Sequence, residues 1–176
     1  MTTITGFSGP LDTRYEPAAS KIMGVDYWAV LSQYSFVCAY EGSVWQILVY
    51  RGMLTDGASV PKVFKNILPS WGIYGQAAGG HDLLCRTLKI IKDGVEVSIT
   101  RAQADEFFLQ MMIALDVPEA TRNMMYDAVR AYAIAARIDK PSDTQQLRDL
   151  EAAWIAANPE TPVPPPIDQA IQEHTT

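Results

Sequence analysis

Leu88-Lys89-Ile90-Ile91-Lys92-Asp93-Gly94-Val95-Glu96-Val97-Ser98-Ile99-Thr100-Arg101-Ala102-Gln103 reads as a β-hairpin that runs directly into a helix. Leu88 to Ile91 and Val95 to Ile99 are rich in β-branched residues. Asp93-Gly94 between them suits the type I′ turn that matches the twist of a two-residue hairpin. Thr100 and Gln103 have capping-box spacing, each able to satisfy the other's backbone donor. Phe107, Phe108, Met111 and Leu115 then recur at core spacing, which predicts a helix over 101–115. A hairpin this short folds the helix after it back onto the element before it.

That preceding element, 73–88, is helical by its length and its Ala and Leu content. Gly79-Gly80 inside it costs about 1 kcal/mol per glycine relative to alanine, a cost tolerated where a backbone or ligand must come close. Further upstream, Ser35–Tyr40 and Ser43–Arg51 read as strands joined at Glu41-Gly42. Trp45, Ile47 and Val49 share one face and Val44, Leu48 and Tyr50 the other, so part of each face is expected to be covered. Asp56-Gly57 is a turn signal, and Ser59 and Pro61 suit the start of a short helix that Pro69-Ser70-Trp71-Gly72 breaks.

Downstream, Asp116-Val117-Pro118 opens a helix to about Ile138, and Lys140-Pro141-Ser142-Asp143 caps another that ends near Asn158. Leu147, Leu150, Trp154 and Ile155 give this last helix an apolar stripe that packs on the domain or on another subunit. The expected organisation is an irregular N-terminal arm over 1–24, an α+β domain over 25–158 and an extended tail over 159–176. The tail carries Pro162, Pro164, Pro165 and Pro166 and suits a polyproline-like conformation. Within the domain, a small antiparallel β-sheet is followed by a helical C-terminal half.

With 48% apolar and 19% charged residues, the chain is excluded from the disordered class. A net charge of −6 with scattered Lys and Arg gives no nucleic-acid footprint. No apolar stretch approaches the ~18 residues of a transmembrane helix, and no basic and apolar leader is visible at the N-terminus. Synthesis in a cytoplasm with reduced thiols is the expectation. Cys38 and Cys85, the two cysteines, cannot form a disulfide framework.

Of two histidines, His174 lies in the tail, so histidine chemistry rests on His81. His81-Asp82 follows the small-residue run Gly75–Gly80, and the next helix delivers Asp105. A histidine beside one aspartate and facing another is a minimum kit for metal-assisted hydrolysis. In that reading His81 activates water, Asp105 orients His81, and Asp82 with Asp56 binds a divalent cation, Ca²⁺ being the candidate. The competing reading makes the same four residues a structural hydrogen-bond network fixing loop and helices. His81 and Cys85 also stand at zinc-compatible i, i+4 spacing, but no second ligand cluster accompanies them and Cys85 reads as a small buried hydrophobe. No G-x-S-x-G elbow occurs, which leaves serine hydrolase chemistry without support.

Asp56-Gly57-Ala58-Ser59-Val60-Pro61, Ala77-Ala78, His81-Asp82, Arg101 with Ala104-Asp105, and the late segment Tyr126 to Arg130 together resemble a phage-associated family of unknown function. The resemblance covers roughly residues 44–133. It implies a bacteriophage or prophage origin. The expectation that follows is an accessory or structural protein, made in the host cytoplasm and incorporated in the virion, in its tail or neck region. Such a protein acts through contacts with other phage structural proteins or with itself.

The His81-Asp82 and Asp105 blocks also resemble, more distantly, the secreted and viral phospholipases A2. Those enzymes place a histidine-aspartate pair on one helix and an orienting aspartate on its antiparallel neighbour. The resemblance implies His81 as general base, Asp82 as Ca²⁺ ligand and Asp105 as the orienting group, in a metal-dependent hydrolase acting on lipid or cell-wall material. The chain departs from that pattern in lacking a recognisable calcium loop with its flanking cysteines. Cys85 also stands where an aromatic hydroxyl would support the second aspartate.

Overall fold

A computed structural model describes residues 5–57 and 72–159. The short helix expected after Ser59, its break at Pro69-Ser70-Trp71 and the proline-rich tail beyond Pro159 lie outside the described residues.

The central hairpin forms as β7 (Lys89–Lys92) and β8 (Val95–Ser98), paired antiparallel across Asp93 and Gly94 at φ 49° and 83°. Both turn residues are left-handed, as a type I′ turn requires. α2 (Gly75–Thr87) precedes the hairpin and stops at Leu88, whose left-handed φ of 49° redirects the chain. α3 (Arg101–Ala114) follows it, opened by the complete Thr100–Gln103 capping box. The helices packed together by this hairpin are the two that carry His81-Asp82 and Asp105.

β4 (Tyr34–Tyr40) and β5 (Ser43–Val49) form a second hairpin, and β5 pairs with β7 through Trp45↔Lys92. With β1 (Gly6–Phe7) on β4, they make a five-stranded antiparallel sheet in the order β1-β4-β5-β7-β8. Trp45, Ile47 and Val49 are buried in one core with Ala77, Leu84, Phe107 and Met111. On the opposite face Val44 and Leu48 are exposed, so that face is less covered than its composition suggests.

A second, three-stranded sheet runs β2 (Thr13–Tyr15), β3 (Trp28–Val30), β6 (Leu54–Thr55), with α1 (Pro17–Met23) between its first two strands. The segment expected to be an irregular arm therefore supplies β1, β2 and α1. The strands are too short for periodicity to reveal them. They hold by pairing and by contacts such as Phe7 on Phe36, ring centroids 5.0 Å apart.

α4 (Glu119–Ala135) packs beside α3, and α5 (Gln145–Ala157) closes the fold. α5 starts later than its sequence suggests. Thr144 accepts from the Leu147 amide as the cap, while the Asp143 carboxylate is taken by Arg86 and Arg148. Leu147 and Trp154 of its apolar stripe are buried with Ala19, Ala29 and Leu54 of the second sheet region, so these residues pack on this chain itself.

Gly79 and Gly80 of α2 serve protein packing. A Cβ on Gly79 would come within 2.6 Å of the Tyr34 hydroxyl, and one on Gly80 within 2.6 Å of the Met111 sulfur. The Tyr34 hydroxyl settles in the resulting notch and donates to the Gln76 carbonyl at 2.9 Å. α2 thus lies close against both β4 and α3. Among the described residues, no helix is long and apolar enough to cross a membrane.

Candidate functional site

His81 and Asp105 meet between α2 and α3. The imidazole is 7% exposed and stacks on Phe108, with ring centroids 4.5 Å apart. Its Nε2 lies 2.7 Å from Asp105 Oδ1. Asp105 is fully buried, and three donors converge on it. Besides His81, Arg101 Nε donates to Oδ1 at 3.0 Å and Arg130 Nη1 donates to Oδ2 at 2.9 Å.

Burial alone would raise the Asp105 carboxyl, but His81, Arg130 and Arg101 outweigh it and hold the group below the usual carboxylate range. Burial pushes His81 the other way, below its ordinary value, against the pull of Asp105 and with help from the Arg101 charge. Asp105 would favour an imidazolium, yet two guanidiniums already balance its charge. The imidazole is therefore neutral near pH 7. Hydrogen-bond logic then puts the proton on Nε2, donating to Asp105, and leaves Nδ1 with the lone pair.

Asp82 occupies an opposite environment. Its Oδ2 accepts from Thr55 Oγ1 at 2.5 Å, and its carboxyl is also hydrogen-bonded to Asp56. Burial first, then the Asp56 charge, drive Asp82 well above the usual range, with the Thr55 bond opposing them. Asp82 is therefore the carboxyl held toward its protonated form. The turn that delivers Asp56 is fixed by the Gly57 amide donating to Thr55 Oγ1 at 3.1 Å, with Gly57 at φ 77°.

The four residues singled out in the sequence thus fall into two pairs, His81 with Asp105 and Asp82 with Asp56. His81, Asp82 and Asp56 line one cavity of about 290 Å³ together with Cys85, Arg86 and Arg101. Tyr27, Leu54, Val129, Tyr132 and Leu147 contribute an apolar wall.

Two donor sets could hold a cation. Asp82, Asp56 and the Thr55 hydroxyl offer oxygen only, which suits a hard ion such as Ca²⁺. The raised pKa of Asp82 marks where a positive charge would be favourable. The ligand atoms of His81, Cys85 and Asp105 also lie within 4.8 Å of one another. That set fits a soft ion poorly, because Asp105 already answers two guanidiniums. Burial also pushes the Cys85 thiol up to about 12, away from the thiolate that zinc needs.

Several partners escape the sequence reading. Arg130 lies in the Tyr126–Arg130 segment, but nothing in its spacing points it at Asp105. Thr55 reads as part of a turn. Arg86, on the cavity wall, is gripped by Glu151 through Nη1 at 2.6 Å and Nη2 at 3.0 Å. That partner lies in the last helix, and no local pattern announces it.

The chain matches no curated protein and no solved structure. A family model does match residues 28–129, more than half the chain, spanning β3 to β8, α2, α3 and most of α4. The chain belongs to the family described as "Protein of unknown function (DUF1353)".

Proposed function

We propose that the cavity beside His81 is the active site of a cation-assisted hydrolase acting on lipid or cell-wall material. The observation that carries this reading is the 2.7 Å contact of His81 Nε2 with Asp105 Oδ1, beside a cavity that also holds the Asp82–Asp56 carboxyl pair. Titratable groups pushed in opposite directions around one cavity are the arrangement acid–base catalysis uses. Neutral His81 takes a proton from water on Nδ1 while the water oxygen attacks the carbonyl carbon of the substrate. Asp105 fixes the tautomer and stabilises the imidazolium that forms, and Arg101 and Arg130 hold Asp105 in place. The proton then passes from Nδ1 to the departing oxygen or nitrogen. A divalent ion, when held by Asp82 and Asp56, supplies Lewis-acid stabilisation of the developing oxyanion.

The test is hydrolysis of a panel of acyl esters, phospholipid dispersions and purified cell-wall material by the full chain, in Ca²⁺ and in EDTA. Turnover that needs the ion and disappears in a folded His81→Asn variant supports the reading. Turnover that survives His81→Asn, or no turnover on any of these materials, overturns it.

A second reading keeps the protein as an accessory or structural component of a phage particle. The saturation of its buried carboxylates supports this, since Asp105 takes three donors as a purely architectural network would. The D-G-A-S, H-D and R-x-x-A-D blocks support a bacteriophage or prophage origin under either reading. If the network is architecture alone, His81→Ala and Asp82→Ala lower the melting temperature and no metal ion alters it. Loss of particle association on deleting residues 159–176 would separately support the structural reading.

A further inference from the structure

The cavity is lined by both charged and apolar residues, and its arginines are unevenly answered by carboxylates. Arg86 is answered by two carboxylates, Glu151 at 2.6 Å and Asp143 at 3.0 Å. Arg101 and Arg130, by contrast, share the single charge of Asp105. Arg101 commits only Nε to Asp105, and its terminal nitrogens have no partner among the described residues. Its side chain is 12% exposed and lines the cavity, so those nitrogens are donors held ready beside His81. Leu54, Val129, Tyr132 and Ile138 line the same space with apolar surface, and Tyr132 is 53% exposed.

We infer that the cavity takes an organic anion with an apolar body. Its oxyanion sits on the Arg101 guanidinium and its body lies along Leu54, Val129 and Tyr132. A planar guanidinium whose two terminal nitrogens have no partner among the described residues suits the paired oxygens of a carboxylate or a phosphate. A compact space of this volume, apolar with a few placed polar groups, suits a small amphiphile. The inference rests on reading the cavity as a ligand site and narrows its substrate class. The molecule that reacts, or the product it leaves beside His81, carries an alkyl chain next to an anionic group.

The experiment is isothermal titration of the full-length protein in EDTA with three probes of one chain length: octanoate, octyl phosphate and octanol. Both anions, or one of them, are expected to bind at least tenfold more tightly than octanol. Arg101→Gln should lose most of that preference, and Tyr132→Ala should weaken all three probes together. Tighter binding of octanoate identifies a carboxylate ligand, and tighter binding of octyl phosphate a phosphate. Equal binding of octanol and the anions overturns the inference, as does no binding of either anion. The comparison of probes on the unaltered protein holds even if Arg101→Gln does not fold. Because neither turnover nor a cation is involved, failed hydrolysis and failed anion binding are separate results.

Discussion

Glu151 and Asp105 are both buried carboxylates crowded with donors, yet they do different work. Glu151, 4% exposed on α5, takes both Arg86 terminal nitrogens, the Leu54 amide at 2.8 Å and the Tyr50 hydroxyl at 2.8 Å. None of those donors changes charge near neutrality. Burial opposes the charge on Arg86, but Glu151, Tyr50 and Asp143 raise its pKa above an already high value, and burial and Glu151 raise that of Tyr50. The cluster fastens α5 to β6 and to the end of α2. Asp105 includes an imidazole among its donors, and that imidazole titrates. The same cavity also holds Asp82, driven in the opposite direction from Asp105. A saturated carboxylate by itself indicates architecture. Under the proposed function, a saturated carboxylate gripping a histidine at a cavity wall serves the chemistry instead.

The largest expected effect falls on the fastening side of this comparison. Glu151→Ala leaves the buried Arg86 with Asp143 alone and takes the acceptor from the Leu54 amide and the Tyr50 hydroxyl, and should cost about 3–5 kcal/mol in denaturant unfolding. A loss below about 1 kcal/mol, the range of an exposed pair, would mean the cluster does not hold α5. Next is the packing that aligns α2. Gly79→Ala should cost about 1–3 kcal/mol by overpacking against Tyr34. Tyr34→Phe in the same chain should recover part of that loss by removing the clashing oxygen, and an additive double variant would show that the notch is not the cause.

On the chemical side the cost should be smaller. His81→Asn removes one hydrogen bond and should lower stability by about 1 kcal/mol. A loss comparable to that of Glu151→Ala would merge the two clusters into one structural network.

The smallest effects are in pH dependence, and they differ between the clusters. The folded pKa of His81 is lowered, so its contribution is complete above the ordinary histidine value of about 6.5 and is lost as pH falls through the folded value. His81→Asn should flatten the acid side of a stability–pH curve. The folded pKa of Asp82 is raised, so its contribution is present below the ordinary carboxyl range and is lost as pH rises through the folded value. Asp82→Asn, which can still bond Thr55 and Asp56, should therefore be more stable than the wild type at pH 8 and show no such advantage at pH 4. The same scan on Glu151→Ala should show a deficit of similar size across the neutral range. If Asp82→Asn is instead less stable at pH 8, the Asp82 carboxyl is not raised in the folded protein.

What could be read in the sequence was local. Asp93-Gly94 and Thr100–Gln103 specify a turn and a cap over a few residues, and together they bring α3 onto α2. The approach of Asp105 to His81 follows from that geometry. Gly79-Gly80 announced a close approach but not its partner, because Tyr34 comes from a strand 45 residues away in the chain (79 − 34). Arg86 and Glu151 are 65 residues apart and each resembles an ordinary surface charge, so only the folded chain pairs them. β1 and β2, two and three residues long, were hidden for a different reason: strands that short carry no periodic signal. At the site, Asp56 was assigned to a cation beside His81 and Asp82. The structure brings it to Asp82, through a turn whose anchor, Thr55, carries no signal in the sequence beyond the turn itself.

The most direct test of the account is thermal unfolding of the wild type, His81→Asn and Asp82→Asn in EDTA and across a Ca²⁺ titration, with Mg²⁺ and Zn²⁺ as comparisons. The account predicts a Ca²⁺-dependent rise in melting temperature that grows with ion concentration, as linkage requires. EDTA should reverse the rise, His81→Asn should retain it, and Asp82→Asn should abolish it. No ion-specific rise in the wild type, or an equal rise in Asp82→Asn, would contradict the account and leave the His81–Asp82 segment as architecture.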